Sequence, residues 1–160
     1  MNLALATGRG ERLLTEWPLV DAPLVPDEQV VQIGERESHD AEFAWPDINT
    51  TAITRLDVFA ARDLGSAAVI AQTLTVLGQQ SDWPFWVHLD VDVLDQDVMP
   101  AVGSPGSPGL NEQDLIPLLR SLIAHELCVG MTITIYDPDR DPQHECAVRI
   151  VTLLRKVFAT

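Results

Sequence analysis

The densest run of chemically capable side chains is His88-Leu89-Asp90-Val91-Asp92-Val93-Leu94-Asp95, where acidic groups alternate just as the apolar stretch Phe85 to Leu89 gives out. Side chains two apart on a strand share a face, so the spacing predicts that His88, Asp90 and Asp92 point the same way. Two carboxylates on one face repel each other unless a proton or a cation sits between them, and their oxygens suit a hard divalent ion such as manganese or magnesium. In an open parallel sheet the crevice outside the strand C-termini is also where ligands bind. The residues alone leave two readings: a metal site, or a pair of solvated loop aspartates. His88 likewise reads either as a nitrogen ligand or as a buried strand histidine bonded to a neighbour.

A second acidic run, Asp137, Asp139 and Asp141, invites a calcium loop. Such a loop needs glycine at its sixth position and glutamate at its twelfth, which here are Pro142 and Val148, so the pattern fails. The run reads as a turn stiffened by Pro138 and Pro142, its aspartates bonding local amides. His39, His125 and His144 are scattered and read as ordinary surface positions. No phosphate-cradling glycine loop and no nucleophile elbow is present.

The elements that must position these groups follow from hydrophobic period and chain breakers. Residues 2 to 7 predict a short apolar helix, Gly8 to Asp27 a proline-rich loop, Val30 to Ile33 a short buried strand ending at Gly34, and Ala52 to Arg55 a second strand. Ser66 is expected to cap a helix through Ala67, Val69, Ile70, Leu74 and Leu77 that Gly78 stops. Phe85 to Leu89 suits a central strand. Asn111 opens a helix with Leu115, Leu118, Leu119 and Leu122 as its buried stripe. Met131 to Tyr136 predicts another buried strand stopped by Pro138, and a last helix runs through Val148, Val151, Leu154 and Phe158. Strands alternating with helices of this length imply an α/β fold, three-layer αβα, with a mostly parallel sheet.

The stretch Trp86 to Leu110, WVHLDVDVLDQDVMPAVGSPGSPGL, resembles the second metal-binding motif of the arginase, agmatinase and formiminoglutamase family, the manganese ureohydrolases, where a strand ends in S-F-D-x-D-x-L-D-P. Met1 to Gly10 is similar to the family helix after its H-G-M element. Val30 to Arg36 resembles the V-x-I-G-x-R strand, and Ile135 to Pro142 the Y-[ND]-P-D-x-D-P turn. The resemblance implies a single arginase-like domain over residues 1–160 that lacks the N-terminal part of the family fold. It implies two manganese ions that hold a shared water as hydroxide for attack on an amidine carbon, with Asp90 and Asp92 as metal ligands and Asp95 capping the turn. The substrate expected is a small cationic guanidino or amidine compound. The family's upstream histidine and D-x-H-x-D motif do not occur in these 160 residues, so the ligand set here is incomplete. Ile135 stands where family members place a substrate-facing glutamate, and no catalytic residue is assigned. The alternative is an inactive arginase-like remnant serving as an oligomerisation or metal-binding module.

Composition agrees with this direction. The chain is 46% hydrophobic with a mean hydropathy of +0.09, enough apolar material for one domain with a real core. Its formal net charge of −14 repels phosphate backbones and anionic lipid and concentrates cations, so nucleic acid and membrane are not expected partners. Cys128 and Cys146 make no disulfide framework, and Met1 to Gly10 lacks the make-up of a secretory signal, which together predict a cytoplasmic protein. Half a doubly wound sheet leaves an edge and an apolar face uncovered, so a homo-oligomer is expected.

Overall fold

The computed structural model describes residues 2–20, 23–39, 48, 50–79 and 83–159. Asp21 and Ala22 of the expected loop, and Met1 of the segment likened to the family helix, lie outside the described residues. Besides short 3-10 turns, five α-helices and four strands are described: α1 Asn2–Ala6, α2 Arg12–Thr15, β1 Val31–Ile33, β2 Thr54–Leu56, α3 Val58–Gln79, β3 Phe85–Asp90, α4 Glu112–Ile123, β4 Cys128–Thr134 and α5 Glu145–Phe158. The strands pair in parallel, β1 with β2 and β3 with β4. The helix α4 lies between β3 and β4, the crossover that these parallel neighbours require, and α3 lies between β2 and β3. The architecture is α/β, with helices packed against parallel strand pairs as expected.

Local chemistry explains most boundaries. Asn111 caps α4 by accepting the Asp114 amide at 3.0 Å, and all four leucines of the expected stripe are buried. The helix before β3 begins earlier than Ser66, because the Asp57 carboxylate accepts the Ala60 amide at 2.8 Å and starts the helix at Val58. Gly65 breaks it with φ 75° and ψ 160°, so Ser66 opens only its second segment, and Gly78 lies inside the last turn rather than ending it. The loop from Gly8 contains the short helix α2.

Three expectations about burial are corrected. β3 is not buried on both faces: Val87 and Leu89 enter the core, whereas Trp86 and His88 face solvent. β4 begins at Cys128 and ends at Thr134, and none of its residues is fully buried, since among the described residues only β3 pairs with it. In α5 the expected stripe faces outward at Val148, Val151 and Phe158, exposed by 63%, 49% and 58%. The core side carries Cys146, Leu153 and Val157, with Ile150 and Leu154 packed beside them. The apolar side of this helix is broad, with Glu145, Arg149, Thr152 and Lys156 opposite it, and contact with α4 decides which part of it is covered. The core joins α3, α4 and α5 to Val87, Leu89, Val91, Leu94 and the loop residues Met99, Ala101 and Val102.

Candidate metal centre

The carboxylates sit where β3 stops. Asp90 is the last residue of the strand, and residues 91–93 form a single 3-10 turn with Val91 buried beneath it. Asp92 is therefore not on the strand, and alternation does not place it on the His88 face. The chain turns after Asp90 because the Leu94 amide bonds back to the Val91 carbonyl at 3.3 Å. His88 and Asp90 do share a face, with the His88 Nε2 atom 3.2 Å from Asp90 Oδ1. The histidine is bonded to neighbours as expected, but it is 46% exposed rather than buried.

Asp92 is half-buried, and its carboxyl is pushed above the ordinary 3.8, first by burial and then by the negative charge of Asp90. Arg36 works in the opposite direction: it lowers that carboxyl and donates through its guanidinium to the Asp92 main-chain carbonyl. Burial and the neighbouring negative charge thus outweigh Arg36 at Asp92.

Asp95 caps the following loop. Its carboxylate accepts the Ser107 hydroxyl at 2.7 Å, the Gly109 amide at 2.9 Å and the Asp97 amide at 3.1 Å, and the Ser107 bond is the first cause of its lowered pKa. The loop is pinned again by Leu110 donating to the Val93 carbonyl at 2.8 Å and by Asp95 donating to the Leu110 carbonyl at 3.1 Å. The site end of β1 meets the same turn at Gly34, where φ is 82° and a β-carbon would lie 2.4 Å from Val93 Cγ2. Only glycine fits there.

The second acidic run behaves as a turn. Asp137 accepts the Asp139 amide at 3.0 Å, and buried Asp141 accepts the amides of Cys146 and Ala147 at 3.2 and 2.9 Å and the Tyr136 hydroxyl at 3.0 Å. Burial acts to raise the Asp141 carboxyl, but these donors outweigh it and hold it below 3.8. Ile135, at the position of the expected substrate glutamate, has φ 76°, a strained conformation for a β-branched residue.

Carboxylate oxygens and surplus negative charge fit a hard divalent cation in kind. Among the described residues, however, no three His, Cys, Asp or Glu side chains converge into a metal cluster. Asp90 and Asp92 are the two carboxylates the sequence pointed to, and no third such side chain among the described residues joins them there. Sequence reasoning missed Arg36 as a partner of the Asp92 turn and missed Thr132 and Thr134, which bond His88 and Asp90 from β4. The alternating threonines were visible, but the parallel register that sets His88 opposite Thr132 and Asp90 opposite Thr134 was not.

The comparisons with known proteins agree with this architecture. The family model described as Arginase family matches residues 11–159. An agmatinase of Escherichia coli O7:K1 is 31% identical over 130 residues, covering 81% of this chain and 39% of the relative. The arginase of Bacillus subtilis superposes with a TM-score of 0.85 at 24% identity, over 100% of this chain and 53% of that one. The formimidoylglutamase of the same species gives 0.74 at 20% identity, over 87% and 43%. The chain spans about two fifths of the length of the curated relatives it matches. A fold shared along its whole length and a family match over nearly all of it lead to one conclusion: this chain belongs to the arginase family.

Proposed function

We propose that this chain supplies Asp90 and Asp92 as ligands to a manganese centre that hydrolyses a C–N bond of a small cationic guanidino or amidine compound. The observation that carries the reading is the position of Asp92, half-buried beside Asp90 with its carboxyl raised by burial and by that neighbour. Bound manganese supplies positive charge that lowers the pKa of water and polarises an amidine carbon. The chain's own residues hold and orient: Asp90 and Asp92 offer carboxylate oxygens, Arg36 fixes the turn between them, and Asp95 closes the loop beside it. A net charge of −14 raises the local concentration of both metal ion and cationic substrate. A closed site needs donors besides these two, since among the described residues no three such side chains converge.

A second reading is an arginase-like module without turnover, favoured by apolar Ile135 at the expected glutamate position and by exposed Trp86 on the face of His88 and Asp90, apolar surface suited to self-association. Calorimetric titration with manganese, urea release from arginine and agmatine, and sedimentation separate the two. Stoichiometric manganese binding that disappears in Asp90→Asn and Asp92→Asn, with urea formed, removes the second reading. No manganese binding at all removes the enzymatic reading for this chain.

A further inference from the structure

The side chains on the open face of β3 and β4 form a continuous hydrogen-bonded row that ends on Asp90. The Trp86 indole Nε1–H donates to Thr132 Oγ1 at 3.2 Å, Thr132 Oγ1 lies 2.8 Å from His88 Nδ1, and His88 Nε2 lies 3.2 Å from Asp90 Oδ1 and 3.3 Å from Thr134 Oγ1. Thr134 in turn donates to Asp90 Oδ1. The register explains the row: Trp86, His88 and Asp90 stand opposite Gly130, Thr132 and Thr134, and the absence of a side chain at Gly130 lets the indole lie across β4.

Donor chemistry gives the row a direction. An indole N–H only donates, so Thr132 accepts it and keeps its own proton for another acceptor. An ionised carboxylate only accepts, so the imidazole nitrogen facing Asp90 must carry a hydrogen, or two lone pairs would oppose each other. Both constraints select the same ring: His88 with hydrogen on Nε2 and a lone pair on Nδ1 that receives the Thr132 hydroxyl.

We infer that His88 is a positioning residue for Asp90: Trp86 and Thr132 fix its tautomer, and its Nε2–H together with the Thr134 hydroxyl holds Oδ1, leaving Oδ2 to bind a divalent cation. Among the described residues Asp90 Oδ2 accepts no hydrogen bond, whereas Oδ1 faces two donors. A carboxylate held by one oxygen meets a metal ion through the other in a fixed direction, the usual way in which outer partners set ligand geometry. The half-exposed side chains of His88 and Asp90 leave the ion room to enter. The cation part of this inference rests on the function proposed above; the tautomer does not.

Two measurements test it separately. Nitrogen-15 NMR of the histidine rings in the metal-free chain at about pH 8 reports the tautomer. The expected spectrum shows His88 protonated on Nε2 alone in the wild type and shifted toward a mixture in Thr132→Val; any protonated Nδ1 in the wild type overturns the relay. Manganese affinity by calorimetry then compares variants. Partners of this kind are worth roughly 10- to 100-fold in metal affinity, so His88→Leu is expected to weaken binding by about tenfold or more. His88→Gln, whose amide can still donate to Asp90, is expected to restore most of it. Equal affinities in His88→Leu and wild type overturn the positioning role, as does a loss in His88→Gln as large as in His88→Leu. A wild-type chain that shows the Nε2 tautomer but binds no manganese refutes the metal reading and leaves the relay standing.

Discussion

The Gly34→Ala substitution tests how the Asp92 turn is held. Two costs add at this position. A β-carbon at φ 82° is in the left-handed region, which penalises an alanine by about 1–2 kcal/mol. The same carbon would sit 2.4 Å from Val93 Cγ2 and 3.4 Å from Leu110 Cδ1, an overpacking that costs typically about 1–3 kcal/mol. The sum is roughly 2–5 kcal/mol, which for a chain of this size lowers Tm by roughly 5–15 °C. Urea unfolding at constant m measures it directly. Val93→Ala separates the two costs. Alone it removes packing and destabilises; in the Gly34→Ala background it also removes the collision, so the two changes should couple favourably by about 1 kcal/mol or more. Because Val93 follows Asp92 in the same turn, manganese affinity should fall in Gly34→Ala and partly return in the double variant. A destabilisation of Gly34→Ala below about 1 kcal/mol, or additivity of the pair within about 0.5 kcal/mol, refutes the claim that contact with β1 fixes the turn.

Two further outcomes follow from the electrostatics. The folded-state pKa of Asp92 is raised, so its ionised form weighs against folding as pH climbs above 3.8; Asp92→Asn should therefore have a higher urea midpoint than wild type at neutral pH while losing manganese binding. A lower midpoint in the variant contradicts the surplus charge. Asp141 has the opposite sign: its carboxyl is held below 3.8, so the stability it contributes is complete above that value and is lost as pH falls below it. Asp141→Asn should then show a shallower fall in urea midpoint between about pH 4 and pH 2 than wild type, and parallel curves rule out charge-assisted capping of α5.

The parts of the fold that the chain announces are those governed by neighbours in sequence. The α4 stripe recurs at helical spacing behind an asparagine cap, so periodicity and local hydrogen bonding agree, and all four leucines are buried. The strand β3 ends in aspartates that stop apolar continuation, and Asp95 caps its loop through partners within 14 residues. Where two solutions satisfy the same period, sequence could not choose. In α5 the apolar side is broader than the part that is covered, and only contact with the core made Cys146, Leu153 and Val157 the inner part rather than Val148, Val151 and Phe158. The helix before β3 gave a related ambiguity, since Ser66 read as its start and proved to follow a break at Gly65 inside it.

By itself, then, the sequence determined the α/β character, the family and the candidate pair Asp90 and Asp92, because the D-x-D-x-L-D core is contiguous and its chemistry belongs to the residue types themselves. Tertiary structure alone decided that Asp92 sits on a turn instead of the strand face, that Arg36 holds its carbonyl, and that Thr132 and Thr134 surround His88 and Asp90. Those contacts join residues 44 to 56 positions apart. Parallel register across a helical crossover is set by how the helix packs, and no local pattern encodes it.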